Sequence, residues 1–141
     1  MANPTQQAQI EALADNLSAN ADALHRRLMR AIRTPSPDGA LPGISQGVAQ
    51  ALFENEVALR QRANGLYLDA AVLAATGLGT QQQQLLDLTA LAQQKIDRID
   101  RLKDLVDLAG ELLSLGAAVA AGKPEHVLSP LEKLKHHIEA L

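Results

Sequence analysis

Between residues 5 and 32 apolar side chains return at helical intervals. Ile10, Leu13, Leu17, Leu24, Leu28 and Ala31 are spaced by 3, 4 and 7, which puts them on one stripe of a helix. Pro4 stands just before the stretch, where its missing N–H costs nothing. Arg26, Arg27, Arg30 and Arg33 gather at its end, where the negative pole of the helix dipole favours cations. The pattern then stops. Residues 34–43 read Thr-Pro-Ser-Pro-Asp-Gly-Ala-Leu-Pro-Gly, and this density of proline and glycine cannot continue a helix. The segment is a linker and a candidate hinge.

Ser45 offers an N-cap for a second helix over 45–75, with Val48, Leu52, Leu59, Leu66, Leu68 and Val72 as its apolar positions. Gly65 inside it costs up to ~1 kcal/mol against alanine and so predicts a close helix contact or a bend. Gly77, Leu78, Gly79 and Thr80 form a tight turn, with Thr80 as the next cap. The third helix is predicted over 81–121. It would be about 60 Å long unless Gly110 or Gly116 interrupts it. Its first part carries a heptad seam, Leu85, Leu88, Ala92, Ile96, Ile99, Leu102 and Val106, with Asp97–Arg101 and Asp100–Lys103 as ion pairs of a solvated face. From Leu105 on the apolar face widens to include Leu105, Leu108, Leu112, Leu113, Leu115 and Val119. A helix apolar over so much of its circumference is contacted on more than one side. Leu105, Leu108, Leu112, Leu115 and Val119 are therefore the candidate partner-binding surface. Gly122, Lys123 and Pro124 end the helix. Ser129-Pro130-Leu131-Glu132 reads as a capping box opening a short helix over 130–141. The expected fold is all-α, a single domain over 1–141, with three long helices and a short C-terminal one in an antiparallel bundle.

Composition narrows the picture. The chain holds 25 alanines and 25 leucines but only one phenylalanine, one tyrosine and no tryptophan. Alanine and leucine are strong helix formers, and the shortage of β-branched residues leaves little for strands. So few bulky side chains give a modest core, which points mildly to partner surfaces. The expected partner is a second copy or another helical protein. A net charge of −3 argues against a general nucleic-acid binder, which needs excess Lys and Arg. Without cysteine there is neither a thiolate nucleophile nor a cysteine-based zinc site. The first residues lack the basic and apolar regions of a signal peptide, and a cytoplasmic location is expected. The uncharged apolar run over 112–122 would rise about 16 Å as helix, half a bilayer core, so no transmembrane segment is expected.

Candidate chemistry is sparse. Glu132, His136 and Glu139 share a helix face and make at most a metal half-site, because no Glu-x-x-His pair supplies the remaining ligands. His137 points about 100° away from His136. The four histidines, His25, His126, His136 and His137, leave room for a pH response. The arginine cluster lacks interleaved aromatics for stacking on bases. The glutamine run 81–84 reads as solvated helix. The carboxylates are scattered along polar faces, with no Gly-rich phosphate loop and no Ser/His/Asp order. The expectation is no enzyme, no cofactor and no metal.

One stretch, over 44–75, resembles a known family. Leu52-Phe53-Glu54-Asn55-Glu56-Val57-Ala58, then Gln61 and Asn64, then Leu66-Tyr67-Leu68-Asp69-Ala70-Ala71 resembles the core of the R-body (refractile body) structural proteins. These are small bacterial helical proteins rich in alanine and glutamine. The family-like positions are Leu52, Phe53, Glu54, Asn55, Val57, Ala58, Tyr67 and Asp69. Here Leu59-Arg60-Gln61-Arg62 stands where the family has its glutamine run, and that run comes later, at Gln81. The resemblance implies a cytoplasmic protein that self-assembles into coiled ribbons, which unroll on a pH change and are linked to killing of predators or hosts. The function expected is thus a non-enzymatic, self-assembling helical structural protein, an R-body-like subunit or accessory. The alternative is a soluble helical adaptor or chaperone, including the phasin type that coats granules, binding through an apolar helix face.

Overall fold

A computed structural model describes residues 4–39, 41, 43–76 and 81–141. The described residues form five α-helices and no strand: α1 Pro4–Arg33, α2 Gln46–Thr76, α3 Gln81–Ile96, α4 Leu102–Ala120 and α5 Leu128–Ala140, with a 3-10 turn at Pro124–His126. The turn foreseen at 77–80, with its Thr80 cap, lies outside the described residues.

The stripe foreseen on α1 is fully buried, with Ile10, Leu13, Leu17, Leu24, Leu28 and Ala31 in the core. Ala14, Ala21 and Ala23 are buried beside them, and their small side chains admit neighbouring helices. Helix α1 packs on α2 and α3, α2 packs on α4, α4 on α5, and α5 back on α3. The contacts thus close a ring around one hydrophobic core. The polar pairs joining α1 to α2, Asp15 with Tyr67, Asp22 with Arg60 and His25 with Glu56, fall in opposite order along the two helices. Those joining α1 to α3 fall in the same order, from Gln6 with Gln82 to Asn20 with Thr89.

Three expectations need correction. The third long helix is divided, and neither Gly110 nor Gly116 divides it, since both lie inside α4. The break is at 97–101, in the middle of the heptad seam. Asp97, Asp100 and Arg101 there are exposed, while Ile99 is tucked into the core. The foreseen Asp97–Arg101 and Asp100–Lys103 pairs do not form: Arg101 bonds Asp104, and Asp97 faces Arg26 at 3.7 Å. The cause lies on α1. Arg27 Nε donates to the Ile99 carbonyl at 3.0 Å and its Nη2 to the Asp100 carbonyl at 3.4 Å, while Arg30 donates to the Asp97 carbonyl at 2.6 Å. These carbonyls would otherwise be orphaned by the break. Only Arg33 serves its own helix, donating to the Met29 carbonyl.

The linker is the second correction. Ser45 caps α2 as expected, its hydroxyl accepting from the Val48 N–H at 3.2 Å, but the linker before it does not leave α1 loose. A side chain at Gly43 would run into the Thr34 carbonyl oxygen, so the two ends of the linker meet, and Ile44 is buried beyond them. Third, the last helix starts at Leu128, capped at Val127 without any side-chain bond. Ser129 is already inside it, and no capping box forms. Gly65 has open space beside it and marks no close contact, whereas at Gly116 an added Cβ would lie 2.8 Å from the Arg62 stem and 3.3 Å from Leu17. Close packing of α4 therefore occurs at Gly116.

Candidate functional site

The partner surface foreseen on the third helix is not a surface. Leu105, Leu108, Leu112 and Leu115 are completely buried and Val119 is 1% exposed. The broad apolar face is wide because α2 and α5 both pack on α4, so the chain covers it with its own helices.

Among the described residues, α2 carries the largest group of exposed apolar side chains. Its inward side is Leu52, Leu59, Ala63, Leu66, Ala70 and Leu73, all buried. Leu68 and Val72, foreseen as part of that stripe, point outward at 85% and 69% exposure, together with Phe53 at 53% and Val57 at 38%. Gln61 and Asn64 lie between them and are also exposed. At 100° per residue these six positions fall within an arc of about 100°. They form one continuous outer stripe without an ionised group. Glu54 borders it and accepts from Gln50 at 3.2 Å. Four large apolar side chains left in water along one helix face are a mark of an interaction surface.

The family-like positions divide across this helix. Leu52 is buried, Asn55 and Ala58 are half-buried, and Phe53, Glu54, Val57, Tyr67 and Asp69 are exposed. Tyr67 lies beside the stripe, and its hydroxyl donates to Asp15 on α1. That bond, with partial burial, raises the Tyr67 pKa above the ordinary value of 10.0. Because the protonated phenol makes the bond, its contribution to stability is complete below about pH 10 and is lost as pH rises through the higher folded value. As Tyr67 is the sole tyrosine, phenolate absorbance reports it cleanly. The titration midpoint is expected above about 10 in the native protein and back toward about 10 in Asp15→Asn.

Charged groups elsewhere hold helices together. His25 meets Glu56 at 2.9 Å, and Arg60 bridges Asp22 and Glu56 at 2.8 and 3.1 Å. Between α1 and α3, Asn16 donates to Thr89 Oγ1 at 3.0 Å and Asn20 to the Thr89 carbonyl at 2.9 Å. His137 meets Glu111 at 2.8 Å. Ligating atoms of His137, Asp104 and Asp107 also lie within 4.8 Å of one another. Arg101 already engages both oxygens of Asp104, at 3.0 and 3.4 Å, and that hydrogen bond holds the carboxyl below the usual carboxylate range. The trio is thus part of an ion-pair seam joining α4 to α5. Glu132, His136 and Glu139, the foreseen half-site, remain exposed on α5.

The clefts are open and of mixed charge. One of about 380 Å³ lies among Lys95, Arg98, Asp100, Arg101 and Leu141. Another, of about 470 Å³, runs past Glu111, Ser129, Glu132, His136 and His137. Ser129 lies on the helix that carries His137, two turns or about 12 Å along its axis, too far for that histidine to act as its base.

Comparison with protein-family models, with curated proteins and with solved structures returns no match. Among the described residues no helix is long and apolar enough to cross a membrane.

Sequence reasoning missed the buried Arg27, whose pKa is lowered by burial and by neighbouring Arg30. It also missed the outer stripe of α2. The signal for the stripe was present: α2 has more apolar positions than one inward face can hold, so a second face had to carry them.

Proposed function

We propose that this chain is a non-enzymatic helical structural protein that self-associates, an R-body-like subunit or accessory working in the cytoplasm as an antiparallel helical bundle. The contact surface is the outward face of α2. The observation that carries this reading is the stripe of Phe53, Val57, Leu68 and Val72, four exposed large apolar side chains gathered on one helix face, while Leu41, Leu91, Leu128 and Leu141 are exposed elsewhere in the chain. The resemblance to R-body proteins falls on the same helix, and two of its positions, Phe53 and Val57, lie in the stripe. With the α4 face occupied internally, α2 is where helix packing can continue beyond the chain.

The test is sedimentation velocity with negative-stain microscopy at about pH 7 and about pH 5, the two sides of an ordinary histidine pKa. Species larger than the 15.0 kDa chain are expected. A single 15.0 kDa species at both pH values overturns the reading.

A further inference from the structure

The outer stripe of α2 has an internal symmetry. Its seam positions, Phe53, Val57, Gln61, Asn64, Leu68 and Val72, are separated by 4, 4, 3, 4 and 4 residues, a spacing that reads the same from either end. The chemistry does too: two apolar side chains, two amides, two apolar side chains. Phe53 and Val72, Val57 and Leu68, and Gln61 and Asn64 are equidistant from one point between Arg62 and Ala63. The stripe spans about 28 Å of helix. The cations nearest its midpoint are drawn away from it, Arg60 to Asp22 and Glu56, and the Arg62 stem to Gly116.

We propose that this stripe is a two-fold self-interface, in which α2 of one copy lies antiparallel on α2 of a second, with the symmetry axis crossing between Gln61 and Asn64. The proposal rests on the self-association argued above and adds its geometry. An isologous contact requires a surface complementary to itself. In this pairing Val57 meets Leu68 of the second copy, and Phe53 meets its small Ala71 and Val72, a large side chain against small ones. Gln61 meets Asn64 at the centre. Each amide both donates and accepts, so the two satisfy one another. A slip by one turn sets an amide against leucine or valine and leaves it unpaired, which selects the register as a polar residue in a coiled-coil seam does. Antiparallel pairing sets each position against its mirror position across the axis, and a palindrome of matched types meets that condition at every step, whereas parallel pairing makes no use of it. The helix dipoles also oppose one another in this arrangement.

Cysteine cross-linking tests it, because the chain has no cysteine of its own. Near the axis, identical positions in the two copies are separated by about 4.5 Å along the helix, whereas the two copies of position 57 are about 17 Å apart. Gln61→Cys alone is therefore expected to form a disulfide-linked dimer under mild oxidation. Val57→Cys alone is expected to form none, but to cross-link when mixed with Leu68→Cys. Leu68→Lys, at a position too exposed to disturb the fold, is expected to raise the dimer dissociation constant about tenfold or more while the circular dichroism stays unchanged. Cross-linking of Val57→Cys to itself would show parallel pairing and overturn the proposal, leaving self-association standing. So would an oligomer that ignores Leu68→Lys and cross-links at none of these positions. A chain that is monomeric throughout overturns both.

Discussion

Replacing Leu108 and Leu112 together with lysine is expected to unfold the protein. Both side chains are completely buried in the core shared by the helices of the ring. Truncation of a single buried leucine to alanine typically costs about 2–5 kcal/mol. Lysine adds to that the burial of an ammonium group with no partner. Two such sites exceed the stability of an ordinary domain, about 5–15 kcal/mol. Far-ultraviolet circular dichroism should show loss of helix, and any assembly should be lost with it. Retention of full helicity alongside loss of assembly would place these leucines in an interface between chains. Leu68→Lys is the matched control: it makes the same chemical change on a side chain that is already 85% exposed, and it is expected to leave the fold intact.

The second large effect is expected at Arg27→Met. Methionine retains much of the apolar stem but removes the donors to the Ile99 and Asp100 carbonyls. Hydrogen bonds from a charged donor contribute about 1.5–3 kcal/mol, and a buried acceptor left unsatisfied adds its desolvation penalty. A loss of roughly 2–4 kcal/mol is expected in denaturant unfolding. Amide hydrogen exchange should rise first at residues 97–101, since Arg27 holds the break between α3 and α4. Arg26→Met makes the contrast. Its pair with Asp97 is half-exposed and 3.7 Å long, so its removal should cost under about 1 kcal/mol. Equal costs at the two positions would mean that Arg27 acts through general charge and not as a clamp.

These two arginines are adjacent, and nothing in their order of types separates the clamp from the surface pair. Both precede Arg30 and Arg33, the cations of the last turn of α1, in a cluster that reads as uniform from the sequence. Which one is buried depends on where α3 lies, and α3 is some 70 residues further along. The same holds for the break at 97–101. Its apolar residues continue a heptad without interruption, and the glycines that invited a break lie elsewhere. The break follows from capping groups supplied by α1, a long-range contact that local propensity does not contain.

The face of α4 shows the same division between pattern and position. Periodicity identified Leu105, Leu108, Leu112, Leu115 and Val119 as residues contacted on several sides, and they are. It could not say whether the covering helices belong to this chain, because a buried face has one pattern whoever buries it. The α2 stripe is the converse case. Leu68 and Val72 carry the same apolar signal as Leu59 and Leu66, and only packing assigns one pair outward and the other inward.

The amino-acid sequence by itself determined the all-helical class, the stripe of α1, the proline-glycine linker and the Ser45 cap. Each of these rests on interactions within about one turn of the chain, whose energies depend on residue type and spacing. The tertiary structure alone decided where the third helix divides, that α4 is internal, and which apolar face of α2 stays exposed. Those outcomes depend on burial, and burial is a property of which helices meet.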